Sequence, residues 1–186
     1  MSDQALLVMD FQPAVLQAVG GDESPALAAA VSAVEAARRA QVPVIFVRVA
    51  FRSGYPEVNP SNKGLSPLSG YGDLFVETEP TTQVHSALGG DAGDIIVTKR
   101  RISAFAGTDL GSILTGLGVS RLVLAGVVTS GVVLSTVRHA GDADFEITVL
   151  SDACADTDDE VHQVLMEKVF PGQADVVSTK EWAASL

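Results

Sequence analysis

The sequence predicts a single α/β domain, a doubly wound parallel sheet of six strands flanked by helices in a Rossmann-like three-layer arrangement. Three observations predict it. Apolar runs of strand length recur along the 186 residues, most of the stretches between them carry helical spacing, and no linker, repeat or low-complexity segment interrupts the series. A strand covered on both faces reads as a continuous apolar run, which is the mark of a parallel sheet between helical layers. One domain over residues 1–186 has the length for a full core and too little for two.

The elements follow in order. Residues 5–11, ALLVMDF, form a first buried strand with Asp10 near its end. Ser24 then offers an N-cap and Pro25 the first helical position, and Leu27, Val31 and Val34 carry the helix on to Arg39. Residues 42–50 form a second strand. Residues 51–81 follow as a loop of about 30 residues rich in Gly and Pro, beyond the usual connection length and so a lid, a binding loop or a disordered segment. Its Phe51, Tyr55, Tyr71 and Phe75 argue for packing rather than free solvation.

Residues 94–99 make a third strand ending in Lys99, followed by a helix over 108–119 capped by Thr108 or Asp109. Residues 121–126 are the fourth strand, and 130–144 read as a helix because no turn signal interrupts them before Gly141. Residues 145–152 are the fifth strand. A helix over 155–170 opens on Thr157 and Glu160, three apart, as a capping box. Residues 174–179 give a short sixth strand, and 180–186 a closing helical turn or two.

Composition removes several function classes. The formal net charge of −11 repels nucleic-acid phosphates and anionic lipid, so neither is an expected partner. No apolar stretch approaches the roughly 18 residues of a membrane span, and the first residues lack the basic flank and apolar run of a signal peptide. A cytoplasmic protein is expected. The single cysteine, Cys154, excludes an internal disulfide and a cysteine-based zinc site. His85, His139 and His162 stand apart without ligand-like spacing, so neither metal nor other cofactor is expected.

In an open parallel sheet, ligands bind beyond the carboxyl ends of the strands, where the strand order reverses. That rule selects Asp10, Lys99 and the turn from Gly126 to Val132, all on one edge. Asp10 follows an apolar run, where burial disfavours ionisation unless a cation is near; Lys99 is the candidate cation. Such a pair serves acid–base chemistry. Asp10 alone also reads as a turn-capping carboxylate, and Lys99, beside Arg100 and Arg101, as part of a solvated basic patch. The turn after the fourth strand offers amides of Thr129, Ser130 and Gly131 to an oxyanion or carboxylate.

LLVMDFQ near the start, VTKRRISAF in the middle and LAGVVTSGVVLSTVRHA after the fourth strand resemble, in order and spacing, the signature regions of isochorismatase-like (cysteine hydrolase) proteins. The similarity runs from about residue 5 to 180. It implies that fold, a homo-oligomer (dimer or tetramer) and hydrolysis of a small molecule. In the thiol members an aspartate deprotonates a cysteine, a lysine supports the charges and turn amides hold the oxyanion. Carried over by motif, the aspartate is Asp10, the lysine Lys99, and the cysteine position Val132. Valine cannot form an acyl-enzyme. Cys154 reads instead as a small buried hydrophobe. Ser130 and Ser135 stand off the expected place, and no histidine is nearby in sequence to activate a serine. The aspartate and histidines that hold a metal in nicotinamidase-like members have no counterpart after the second strand.

The resemblance also supplies a thiol-free precedent. Isochorismatases proper protonate a vinyl ether through the aspartate, with water completing hydrolysis. The expected catalyst is therefore Asp10 with Lys99 and a bound water beside Val132. Phe11, Gln12, Phe105 and the 51–81 loop are expected to shape the pocket. The alternative is a degenerate member that binds a small ligand, or serves as an oligomeric partner, without catalysis.

Overall fold

The computed structural model describes residues 3–90 and 93–186. In chain order its main elements are β1 (Gln4–Met9), α1 (Pro13–Leu16), α2 (Pro25–Arg39), β2 (Val44–Val49), β3 (Ile95–Lys99), α3 (Leu110–Leu117), β4 (Arg121–Val127), α4 (Leu134–Asp142), β5 (Glu146–Ala155), α5 (Asp159–Val164), β6 (Asp175–Val177) and α6 (Thr179–Ala184). The strands form one sheet in the order β3-β2-β1-β4-β5-β6, every neighbouring pair parallel. No helix among the described residues is long and apolar enough to cross a membrane.

The apolar runs are apolar because both faces of the sheet are covered. In β1, Ala5, Leu7 and Met9 join one core cluster with Leu110 and Leu114 of α3 and Val137 of α4. Leu6 and Val8 join the opposite cluster, with Leu27, Ala30 and Val34 of α2 and Trp182 of α6. Strand β4 divides the same way, Leu122 and Leu124 to one face and Val123, Ala125 and Val127 to the other. Alternation of direction along a uniformly apolar strand thus builds two cores from one sequence run.

A third, smaller cluster forms under the long connection after β2, where Phe51, Tyr55, Leu65, Phe75 and Val76 pack together. The 51–81 segment runs through irregular turns into a 3₁₀ stretch, Ser66–Phe75, kinked at Tyr71 and Gly72, and reaches a second short one at Pro80–Thr82. Tyr55 anchors it by donating its hydroxyl to Gly72 O at 2.5 Å.

Several boundaries differ from the sequence expectation, each for a local reason. The helix after β4 opens as one turn of π-helix, Thr129–Val133, before α4 takes a regular path. Strand β5 runs to Ala155, three residues further than expected, after a register irregularity opposite Leu124 and Gly126. At α5 the cap is Asp158, whose carboxylate accepts from Glu160 N and Val161 N; Thr157 N–H instead bonds Asp156. The capping box sits at α6, between Ser178 and Glu181. Ser24 precedes Pro25 as expected but caps α2 with no side-chain bond.

Candidate active site

The strand order reverses between β1 and β4, so the crevice beyond their carboxyl ends is the switch point. Asp10 is the first residue past β1. Its backbone adopts the left-handed region, with φ 59°, which aspartate tolerates better than bulkier residues. Asp10 N–H still donates to Val47 O at 2.8 Å, while Gln12 N–H folds back to Asp10 O at 2.8 Å. The strand therefore ends in a tight turn that fixes the acid at the sheet edge.

Lys99 ends β3, two strands away from β1, with β2 between them. Its long side chain crosses that gap, and Nζ lies 2.8 Å from Asp10 Oδ2. Nζ also donates to Arg101 O at 3.1 Å. Both partners are buried, with side-chain exposures of 3% for Lys99 and 7% for Asp10. Asp10 Oδ1 is buried too, and it has no hydrogen-bond partner among the described residues. Burial pushes the Asp10 carboxyl above the usual carboxylate range; the Lys99 ammonium pulls the other way without cancelling it.

The pair opens onto a cavity of about 170 Å³. Strand ends and their turns supply Val49, Val127, Val128, Gly131 and Val132; α1 supplies Val15; the segment after β3 supplies Arg101 and Ile102. The long connection closes the remaining side with Gly64, Leu65, Leu68 and Phe75. Val132, where the resemblance places a cysteine, is 2% exposed and presents methyl groups to the same space as the acid. The cavity is smaller than the roughly 300–1,000 Å³ of drug-sized sites, so it suits a small substrate.

Asp10, Lys99, Gly131 and Val132 thus share one cavity, and five other expected residues stand off it. Phe11 packs into the α2 side of the core, because the turn at Asp10 redirects the chain. Gln12 is a buried clamp: Nε2 donates to Val49 O at 2.9 Å and Thr82 O at 2.7 Å, and Oε1 accepts from Val49 N–H at 2.7 Å. Phe105 stacks on His139 with ring centroids 4.7 Å apart. Thr129 Oγ1 meets His162 Nδ1 at 2.9 Å. Ser130 N–H is taken by Asp156 Oδ2 at 2.6 Å, and Gly131 N–H by Val128 O at 3.1 Å. Those two amides are therefore not free to receive an oxyanion. The motif's Ser103-Ala104-Phe105 ties β3 to α4 instead, with Ala104 N–H donating to Thr136 Oγ1 at 3.1 Å.

Reading the sequence alone missed Val15, Ile102 and Arg101 as wall residues. Ile102 and Arg101 carried a signal, since they directly follow the end of β3; Val15 lies on a helix too short to show a face. Cys154 lies elsewhere, buried beside Gly126, with its thiol pushed up to about 12 by burial. It is a poor nucleophile in that state.

Comparison with known proteins identifies the family and the fold. The model of the isochorismatase domain matches residues 4–181. An uncharacterized isochorismatase family protein of Escherichia coli O157:H7 is 33% identical over 181 residues, covering 95% of this chain and 93% of the relative. A probable inactive nicotinamidase of Arabidopsis thaliana is 32% identical, covering 85% of this chain and 83% of its own. Among solved structures, an isochorismatase family protein from Burkholderia thailandensis superposes with a TM-score of 0.87 at 25% identity, covering 100% of this chain and 97% of that one. With nearly its whole length matched and the acid–lysine pair at the switch point of that fold, the chain belongs to the isochorismatase family.

Proposed function

We propose that the protein is a hydrolase acting on a small molecule, with Asp10 as acid and base, Lys99 as its electrostatic partner and a bound water as the nucleophile. One observation carries the reading. Asp10 turns one oxygen to Lys99 and keeps the other buried, with no hydrogen-bond partner among the described residues, on a cavity whose remaining walls are mostly apolar. An unsatisfied buried carboxyl oxygen is costly, and a proton or a substrate hydrogen bond there removes the cost.

The chemistry follows from the protonation state. A carboxyl raised by burial retains its proton closer to neutrality and donates it first. On an enol ether, that proton goes to the alkene carbon, and water adds to the oxocarbenium ion so formed. The adduct then loses a proton and breaks into an alcohol and a carbonyl compound. Asp10, now a carboxylate, takes up the proton and is restored. Lys99 stabilises the carboxylate phase of this cycle. No side chain forms a covalent bond to substrate, in keeping with Val132 at the cysteine position and with the committed amides of Ser130 and Gly131.

The test is a screen of purified protein against small amides, imides and enol ethers, repeated with Asp10→Asn. Loss of roughly 10²- to 10⁴-fold in turnover is expected, the range of general acid–base catalysis. Turnover that survives the substitution would remove Asp10 from the mechanism.

The absence of a thiol at Val132 favours a second reading, a ligand-binding member without catalysis, and a relative named as a probable inactive nicotinamidase fits it. Ligand-induced thermal stabilisation without turnover of any member of the screen would select it.

A further inference from the structure

We infer that Arg101 is a specificity-determining residue of the Asp10 cavity and that it selects small substrates bearing a carboxylate. The inference rests on the proposed function for placing substrate in that cavity, and adds the substrate's charge and the residue that reads it.

Three ionisable side chains line the cavity: Asp10, Lys99 and Arg101. The first two compensate each other at 2.8 Å. Arg101 is different. Its Nη1 donates to two carbonyl oxygens, Glu57 O at 3.1 Å and Arg100 O at 2.6 Å, and it has no carboxylate partner among the described residues. Carbonyls hold a guanidinium in place without neutralising it. The neighbouring arginines are neutralised, Arg52 by Glu57 and Arg100 by Glu57 and Glu77. One arginine in this group is thus fixed by backbone, exposed and left with its charge, and it is the one on the cavity wall.

The wider charge distribution makes this position informative. The chain carries a formal charge of −11, so a small anion is repelled from most of the surface. At the cavity the balance is reversed: one positive charge remains with Asp10 ionised, and two with Asp10 protonated. A guanidinium held through Nη1 keeps Nε–H and Nη2–H in the planar fork that matches a carboxylate. The rest of the wall offers no comparable donor for a neutral polar group, being built of side chains such as Val49, Leu65, Phe75 and Ile102. The fitting substrate has a short apolar body, a carboxylate against Arg101 and its hydrolysable group against Asp10.

Butyrate and butyramide share a shape and differ in charge, so their binding at neutral pH, followed by NMR titration, reads the inference directly. Wild type should bind butyrate more tightly by about tenfold to a hundredfold, the worth of a charged hydrogen-bonded contact. Arg101→Gln should bring the pair to near equality, and Arg101→Lys should restore part of the preference. The melting temperature of each variant checks that the exposed substitution leaves the fold intact. A preference unchanged in Arg101→Gln, equal affinities in wild type, or no saturable binding of either probe would each overturn the inference. Wild-type turnover in the substrate screen separates it from the catalytic reading. Anion preference in a wild type that turns over no member of the screen keeps Arg101's role and discards hydrolysis; wild-type turnover without anion preference does the reverse.

Discussion

Lys99 Nζ and Asp10 Oδ2 lie 2.8 Å apart, although their strands are not neighbours in the sheet. The lysine side chain spans the end of β2 to reach the acid, which ties both ends of that half-sheet together through a buried charge pair. The pair's stability consequence is separable from its chemistry. Removing the carboxyl in Asp10→Ala strands an ammonium that is 3% exposed, at a cost of about 3–5 kcal/mol. The double variant Asp10→Ala/Lys99→Met removes the stranded charge as well and should recover part of that loss. Urea midpoints of the two variants check the order.

Asp10 also sets a pH dependence whose sign follows from burial. Its native carboxyl is raised above the ordinary value, so between the two values the folded state binds more protons than the unfolded state. The contribution is present in full below the ordinary carboxylate value and is lost as pH rises through the raised one. The unfolding free energy of wild type minus that of Asp10→Asn should therefore fall with rising pH, measured by urea denaturation from about pH 4 to pH 8. A difference that grows with pH would mean that Lys99 outweighs burial.

Val132→Cys places a thiol beside Asp10 and Lys99 with a modest loss of volume, at about 1 kcal/mol. Wild type should resist iodoacetamide in the native state, because burial pushes the Cys154 thiol up to about 12 and keeps it protonated. The variant should be alkylated once, at residue 132, since an adjacent ammonium favours the thiolate. Peptide mapping by mass spectrometry identifies the modified residue.

Gln12 satisfies three buried backbone groups, the carbonyls of Val49 and Thr82 and the amide of Val49. Gln12→Ala leaves them without partners and should cost about 3 kcal/mol or more, seen as a lower denaturant midpoint at unchanged slope. This places Gln12 in the support of the site rather than on its wall.

Gly126 is pressed between β1 and the π-turn that precedes α4. A Cβ there would lie 3.0 Å from Val133 Cγ2 and 3.2 Å from both Met9 Cβ and Met9 O. Met9 directly precedes Asp10, so Gly126→Ala should displace the acid's own strand end and destabilise by about 1–3 kcal/mol. A melting temperature equal to wild type would show that the strand pair can relax.

Much of this architecture was legible before the structure. The runs at 5–11, 42–50 and 121–126 could be read because continuous apolarity has one physical explanation in a chain with helical segments between. The acid and lysine were legible for the same reason, as charged residues at the ends of such runs. Thr129–Val133 was not, because a π-turn and an α-turn share the same residue preferences. Phe11 and Gln12 misled because they adjoin Asp10 in sequence, whereas the positive φ at Asp10 turns the chain away from the cavity. Leu65, Leu68 and Phe75 come from a connection whose path is set by tertiary packing on Phe51 and Tyr55, and local spacing carries no record of that.

The most direct measurement is the pH profile of kcat/KM for wild type and Lys99→Met on a substrate found in the screen. With Asp10 acting as the acid, activity falls as pH rises through its native value. Loss of the Lys99 cation removes the charge that opposes the rise, so that descending limb should move to higher pH. A limb that stays in place, or a profile without one, would contradict a mechanism run by this pair.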